Sequence, residues 1–526
     1  MGRHPAPGRS VTETVETAPR ISVGGEIAEG AGEGVPVREG VYGDRVVAVE
    51  PGGVEYIARG ERHGRPRELI WMWTSPNLEF ATVYVGVLPV VLFGGGFWPT
   101  VVALMLGTAL GAVFQGLLSI MGPRLGVAQM VESRAAFGFV GNLLPAGLQA
   151  VTAGAGWVAV NSVSGAFALL TFCAAVHLPL HGLVTALGIV VAVEIAVAFT
   201  GHNFIHAIER WVFPFLAVIF LACVVAIFLR ARPGTGFDSA AAAVGGGPVG
   251  AFMIAVFFAF AYAASWNPYA SDYSRYLPRD SRPLSVALCA GLGLFLACAV
   301  LEIAGAALAT VPGTAWGATA VPTDQFVEPL PEVLRVIAPL AICVGAISAN
   351  VINLYSSAMS FLSMGVRIAA RLRRAIVAVG FGVVGFVVGT LVVRTGQVGP
   401  GGSGGAYENF LFFSTYWIVA FLGVVLTDWA MRRNRLTTAL VFDRRHRNRA
   451  GVIALVLGVA ACIPFMNQTL YAGWIATTFP QTGDLSFAVG FLVSAAAYWL
   501  LSRGRAAGDR PAVRPARVSP DPGADA

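Results

Sequence analysis

Lysine is missing from this chain: all 35 basic residues are arginine. That excludes a Walker A phosphate loop, hence a P-loop ATPase, and any lysine Schiff-base chemistry. Charge of either sign is scarce. Only 12% of the 526 residues are charged, against roughly 25% in soluble globular proteins, and mean hydropathy is +0.70. Such a deficit excludes a soluble enzyme, a secreted disulfide scaffold and a disordered regulator. The six cysteines (Cys173, Cys223, Cys289, Cys298, Cys343, Cys462) lie inside apolar stretches without CxxC spacing. They read as small buried hydrophobes, with no disulfide and no metal or other cofactor.

What the chain does have is long apolar runs. A helix needs about 20 apolar residues to span the hydrocarbon. Runs of this kind recur at roughly 69–93, 98–121, 143–171, 179–200, 211–230, 249–271, 284–310, 333–363, 375–393, 407–430, 451–467 and 485–502. They make twelve candidate transmembrane helices in an all-α integral membrane protein. Residues 1–68 are polar and lack the charged start and apolar stretch of a signal peptide, so they read as a disordered cytoplasmic tail. Residues 503–526 read as a second free tail. Arginine sets the orientation: with the N-terminus inside, one face collects Arg59–Arg67, Arg275–Arg282, Arg367–Arg374 and a basic loop at 431–450, and the other only Arg230, Arg232, Arg335 and Arg394. By the positive-inside rule both termini are cytoplasmic, in a multi-pass protein of the plasma membrane. The run RRHRNR (444–449) is then a topology marker, and no nucleic acid partner is expected.

Polar residues at mid-depth carry the functional signal, because burying them in lipid is costly. The first span is interrupted by Thr74-Ser75-Pro76-Asn77 followed by Glu79, and the sixth by Ser265-Trp266-Asn267-Pro268. Proline removes a backbone donor, and two broken spans at matching places in two halves point to an inverted-repeat transporter with a midplane site. In the third span Trp157 and Asn161 share a helix face, and the eighth carries Asn350, Asn353 and Tyr355 between Ser348 and Ser356. Amides and indoles together suit a flat uncharged heteroaromatic ring: indole stacks on it, and an amide meets its edge as donor and acceptor. Three acids lie within spans, Glu79, Glu194 and Glu302. An ionised carboxylate there costs on the order of 3 kcal/mol, so each must be paired, wet or protonated. Glu79, and after it Glu194, are the candidates for cation coupling. His202 and His206 read as solvated residues of a cytoplasmic connection. No nucleophile, base and oxyanion set converges in the spans, so an enzyme is not expected.

Four stretches resemble the nucleobase–cation symporters, specifically the purine–cytosine permease branch. They are GPRLGVAQMVESRAAFGFVGNLLP (122–145), GWVAVN (156–161), GHNFIHAIERW (201–211) and WNPYASDYSRYLP (266–278), in family order. The resemblance implies a leucine-transporter-like core of ten helices in two inverted five-helix repeats, with discontinuous helices 1 and 6 and two peripheral helices. On this chain the core would be 69–430 (repeats 69–230 and 249–430) and the peripheral pair 451–502. It implies alternating access and symport of a nucleobase or related ring (cytosine, purine, hydantoin or allantoin type) with a cation. By motif match, Trp157 and Trp266 resemble the stacking tryptophans that sandwich the substrate. Asn161 and Asn350 resemble its polar partners, and Asn77, with Ser265 opposite it, lies at the breaks that contact it.

One departure concerns the cation. Sodium-dependent members place a Ser-Thr pair in span eight, and the equivalent positions here are Val344 and Gly345, with Ala341 before them. None offers a hydroxyl, so the sodium site looks degraded and a proton is favoured. A transporter of the same fold for an amino acid, amine or vitamin is the alternative, and a passive channel a minor one. Glu79 discriminates the former, since a charged cargo wants a carboxylate partner.

Overall fold

The computed structural model describes residues 35–38, 42–234, 246–314, 316, 321–368, 372–394, 403–432 and 437–503. The expected tails over 1–34 and from 504 onward lie outside the described residues.

Uncharged runs of Ala, Leu, Val and Phe leave the backbone no polar partner but itself, so they close into helices. In chain order these are α1 (Glu68–Thr74), α2 (Phe80–Val91), α3 (Phe97–Leu125), α4 (Leu143–Ala175), α5 (Leu183–Thr200), α6 (His202–Arg230) and α7 (Gly247–Ser274). There follow α8 (Pro283–Leu308), the short α9 (Pro322–Val327), α10 (Glu332–Ser363), α11 (Arg373–Arg394), α12 (Ala406–Arg432), α13 (Arg449–Phe465) and α14 (Ser486–Ser502). Among the described residues nine helices are long and apolar enough to cross a membrane, and α2, α13 and α14 are shorter apolar helices. Several start where the sequence stops a preceding helix: α8 and α9 carry proline in the first turn, and Gly96, Gly182 and Gly201 precede α3, α5 and α6.

Helices α1, α2, α3, α7 and α8 pack as one group, α4, α5, α10 and α11 as another, and α12 with α13 and α14 as a third. Most of the apolar stretch of α7 (83%) and of α10 (72%) is buried, whereas α6 and α11 bury 28%. The sixth and eighth spans, which carry the polar tetrad and the amides, are thus among the three most buried, with α12 (78%) between them.

The first span is helical to Thr74, tightens to a 3₁₀ turn over Ser75–Asn77, and leaves helical geometry at Leu78 (φ −82°, ψ 67°) and Glu79 (φ −142°, ψ 170°). Pro76 has no N–H to give, and side chains take over the exposed carbonyls: Asn77 Nδ2 donates to Trp73 O (2.7 Å) and Thr82 Oγ1 to Asn77 O (2.7 Å). In α7 the tetrad ends in a 3₁₀ turn, Asn267–Tyr269, before a last helical turn at Ala270–Ser274. The sequence pattern did not anticipate α4, which contains a π-helical segment, Thr152–Trp157, directly before Val158.

Two expectations need correction. Residues 42–68 are no free tail. Tyr42 is 1% exposed, Glu50 2% and Ile57 1%, and this stretch packs over the ends of α6, α7, α10 and α11. The physical reason is charge: Glu50 meets arginines of the folded core, which composition alone does not reveal. Likewise, the fifth span starts at His202, not near residue 211, and His202 is buried with its ring stacked on Tyr276 at 3.9 Å.

Candidate functional site

The amides expected from α4 and α10 meet. Asn161 Nδ2 donates to Asn350 Oδ1 (3.2 Å), which also accepts from Asn353 Nδ2 (3.2 Å). Asn350 Nδ2 faces Val158 O (3.0 Å), Ser162 Oγ (3.0 Å) and Glu194 Oε1 (2.9 Å), and Ser162 Oγ donates to Glu194 Oε2 (2.8 Å). Both oxygens of Glu194 are therefore used in holding Asn350 and Ser162, and the amide of Asn350 is consumed within the protein. Asn161 keeps its Oδ1 buried without a partner.

The expected break residues meet as well. Trp266 Nε1 donates to Asn77 Oδ1 (2.9 Å), locking the sixth-span tetrad to the first-span break. Ser265 Oγ turns back to Tyr262 O (2.6 Å) within its own helix. Glu79 Oε1 accepts from Tyr262 (2.9 Å), and its Oε2 is buried and unpartnered. The two indoles occupy separate aromatic nests. Trp157 meets Tyr262, Tyr407 and Phe410 edge-on at 5.7, 6.1 and 5.3 Å, and its Nε1 has no partner. Trp266 meets Trp73 and Tyr269 edge-on at 5.9 and 5.5 Å. Among the described ring contacts the two indoles do not touch each other.

Tyr262 joins these parts and was not singled out in the sequence. It contacts Trp157 by its ring, and its hydroxyl lies 2.7 Å from Thr82 Oγ1 beside Glu79. A phenol one turn before the polar tetrad, in an otherwise apolar run, was the available signal. Tyr269, also missed, ties α7 to the amide cluster through Asn353 Oδ1 (2.8 Å). A cavity of about 230 Å3 adjoins Tyr407 and Phe410. Its walls include Phe80, Tyr84, Phe167 and Thr323, and no charged side chain lines it.

The degraded sodium positions lie against the break. A side chain at Gly345 would put its Cβ 2.4 Å from Leu78 O, so α10 approaches the break too closely for any larger residue without a shift. Ala341 is buried, and Val344 is half-buried. Glu302, the third acid, is held by Thr108 Oγ1 (2.5 Å) between α8 and α3.

A family model described as "Permease for cytosine/purines, uracil, thiamine, allantoin" matches residues 56–493. The chain belongs to this permease family. The permease is a transporter, not an enzyme, and a multi-pass membrane protein. It is 28% identical to the putative purine-cytosine permease YxlA of Bacillus subtilis over 87% of this chain and 96% of that one. It is 26% identical to the purine-cytosine permease fcyB of Emericella nidulans, over 89% and 93%. Its fold is that of a nucleobase-cation-symport-1 family transporter, Mhp1, solved closed with bromovinylhydantoin bound: TM-score 0.65 at 17% identity, covering 86% of this chain and 94% of that one.

The motif stretches of the permease dock on one another. Gln129 N–H donates to Asp272 Oδ1 (2.9 Å) and Ser271 N–H to Gln129 Oε1 (3.2 Å), joining the loop after α3 to the end of α7. Arg134, from the same loop, is 3% exposed and donates to Ser363 O (2.5 Å) at the end of α10.

Proposed function

We propose that the permease imports a neutral nucleobase or related heteroaromatic ring, of cytosine, purine, hydantoin or allantoin type, together with a proton. One observation carries the reading: Trp157 Nε1, Asn161 Oδ1 and Glu79 Oε2 are buried polar atoms without partners, and although none of the three lines the uncharged aromatic cavity, their chain neighbours Gly156, Val160 and Phe80 do, as do Tyr407 and Phe410 against the Trp157 ring. An unpaired buried polar atom costs about 1–3 kcal/mol, so these three call for a ligand offering both a donor and an acceptor edge. The ring stacks on Trp157, its edge meets Asn161, and Glu79 takes a ring N–H. Asn350, Asn77, Trp266 and Ser265 hold that geometry, with Asn350 reaching the substrate only if its own partners release it.

The absence of a hydroxyl at Ala341, Val344 and Gly345 supports the proton, and so does the approach of Gly345 to Leu78 O. Twelve crossings of the plasma membrane with both termini cytoplasmic complete the reading, argued from the arginine asymmetry. The test is uptake of labelled cytosine into proteoliposomes under imposed proton or sodium gradients, with purines, pyrimidines, hydantoins and vitamins as competitors. Uptake that follows sodium and ignores protons sinks the coupling; cytosine uptake unaffected by any ring competitor sinks the substrate class. A vitamin is the second reading, favoured by 25% identity over 272 residues to the vitamin B6 transporter TPN1 of Saccharomyces cerevisiae. Competition by pyridoxine but not by purines would select it.

A further inference from the structure

We infer that the proton of this symporter is carried by Glu209 of α6, in a hydroxyl-lined pocket where the first-span break, α6 and α10 converge; the inference rests on the proton reading above. Glu209 is fully buried. Ser348 Oγ donates to its Oε2 at 2.6 Å, Ser348 Oγ lies 3.4 Å from Ser75 Oγ, and Oε1 is buried without a partner. Ser348 stands one turn beyond Gly345 on α10, and Ser75 opens the 3₁₀ turn of the break. A carboxyl thus sits beside the degraded sodium positions, and one protonatable group does there what several hard oxygens do for a metal ion.

The other buried acids are less suited. Glu194 spends both oxygens on Asn350 and Ser162; Glu302 and Glu79 keep one oxygen unpartnered as Glu209 does, but Glu302 is held by Thr108 between α8 and α3 and Glu79 by Tyr262 beside the substrate residues, whereas Glu209 is bonded to Ser348, one turn from Gly345. Among the described residues no ion pair reaches Glu209. A second cavity of about 240 Å3 beside its helix is lined by the charged and titratable groups His202, His206 and Arg210 of α6, Asp44 and His63 of the N-terminal segment, Glu68 of α1, and Tyr273 and Tyr276 at the end of the sixth span. His206 lies one turn and His202 two turns from Glu209, so a stripe on α6 runs from this cavity to the carboxyl. The cavity is on the arginine-rich side, and it provides the exit.

The step is a proton transfer. Glu209 takes a proton while the outer route is open and stays neutral as a carboxylic acid during the conformational change. Its O–H bond then breaks as the proton passes to water in the histidine-lined cavity. A bare carboxylate in that position is costly, so deprotonation favours parting Ser75 from Ser348 and admitting water.

The test compares wild type with Glu209→Gln in proteoliposomes loaded for two assays of labelled cytosine. An inward proton gradient should concentrate cytosine in wild type, and the variant should lose that accumulation at least tenfold while retaining counterflow exchange that no longer depends on pH. Accumulation at the wild-type level in the variant overturns the inference. Should the variant lose both activities, infrared spectra of the purified proteins decide. A protonated-carboxyl band that titrates in wild type and is absent from Glu209→Gln upholds the assignment, and an unchanged band overturns it. A wild type that fails to accumulate cytosine under a proton gradient, yet shows the Glu209 band, refutes the proposed function instead.

Discussion

Two buried polar regions of the permease are built on opposite plans. Around Trp157, Asn161 and Glu79 the protein leaves polar atoms unpaired. At the arginine-rich end the acceptor is saturated instead: Glu50 is fully engaged, and what stays without a hydrogen-bond partner is donor or ring nitrogen, Nε of Arg38, Arg275 and Arg374 and Nδ1 of His202. The Glu50 carboxylate accepts from Arg275 Nη2 (3.1 Å), Tyr355 (3.1 Å), Tyr276 and the His202 N–H (3.1 Å), with Arg374 at 3.5 Å and Arg38 at 3.8 Å. Gly201 (φ 108°) lets the chain pass beside it, since a Cβ there would lie 2.5 Å from Glu50 Cβ. The partners come from α7 on one side and α10 and α11 on the other, so one residue of the N-terminal segment ties together two of the packed groups. On the proposed function, the first region is arranged for a visitor and the second for its own residues. That distinction is what a transporter needs: a site that is completed from outside and a closure that is complete without it.

The sharpest way to break the comparison is Glu50→Gln, which takes the carboxylate from Arg275 and Arg374 and leaves Arg38 with Glu61 alone. Removing one partner of a buried ionic cluster costs about 3–5 kcal/mol, so the purified variant should unfold at a clearly lower temperature. An unchanged melting curve would show that the closure does not depend on this carboxylate. Asn161→Ala acts on the other plan. It deletes an acceptor the fold does not use together with the Nδ2 bond to Asn350, so kcat/KM for cytosine should fall about ten- to a hundredfold, equivalent to about 1–3 kcal/mol, with melting lowered far less than in Glu50→Gln. A variant that melts early and transports normally would reverse the assignment.

Acid probes the same cluster more gently. Burial by itself raises the Glu50 carboxyl, but Arg374, Arg275, Arg38 and the Tyr276 hydroxyl outweigh it and hold the carboxyl below its ordinary 4.5. A group depressed in the folded state contributes stability that is complete above its unfolded value and is lost as pH falls through the folded one. Wild-type melting should therefore drop below about pH 4.5, and Glu50→Gln should show less of that drop; parallel curves would remove Glu50 from the explanation. The smallest effect belongs to the exposed Thr171–Asp324 bond (2.9 Å), where Asp324→Ala should shift stability by less than about 0.5 kcal/mol. A larger loss would mean that the loop carrying α9 is a third organised region.

The broken first span and the amides of α4 and α10 were legible because lipid makes polar residues conspicuous: Pro76, Asn161 and Asn350 stand out in apolar runs. Contacts made by residues of ordinary type were not. Tyr262 reads as one aromatic among many until its hydroxyl is found at Glu79, and Glu209 was visible only as one letter of the stretch GHNFIHAIERW (201–211). Arginine misled in a different way. Arg62, Arg275 and Arg374 were counted as loop charges in the argument for sidedness, yet each is buried: Arg62 donates to Ile57 O (3.0 Å) and Pro123 O (2.6 Å), and Arg275 and Arg374 face Glu50. Hydropathy reports where a charge sits along the chain. It is silent about a partner more than two hundred positions away, as Glu50 is from Arg275.

The π-helical segment at Thr152–Trp157 has a consequence for how the permease changes over generations. A wide turn holds one residue more than an α-turn, so deleting a single residue such as Ala155 would shorten α4 without breaking it. Outside the wide turn, where each α-helical residue advances by about 100°, the same deletion between it and the loop after α3 would turn Trp157 and Asn161 together away from α10. Where in α4 a codon is lost thus decides whether the residues proposed for the cargo keep their places.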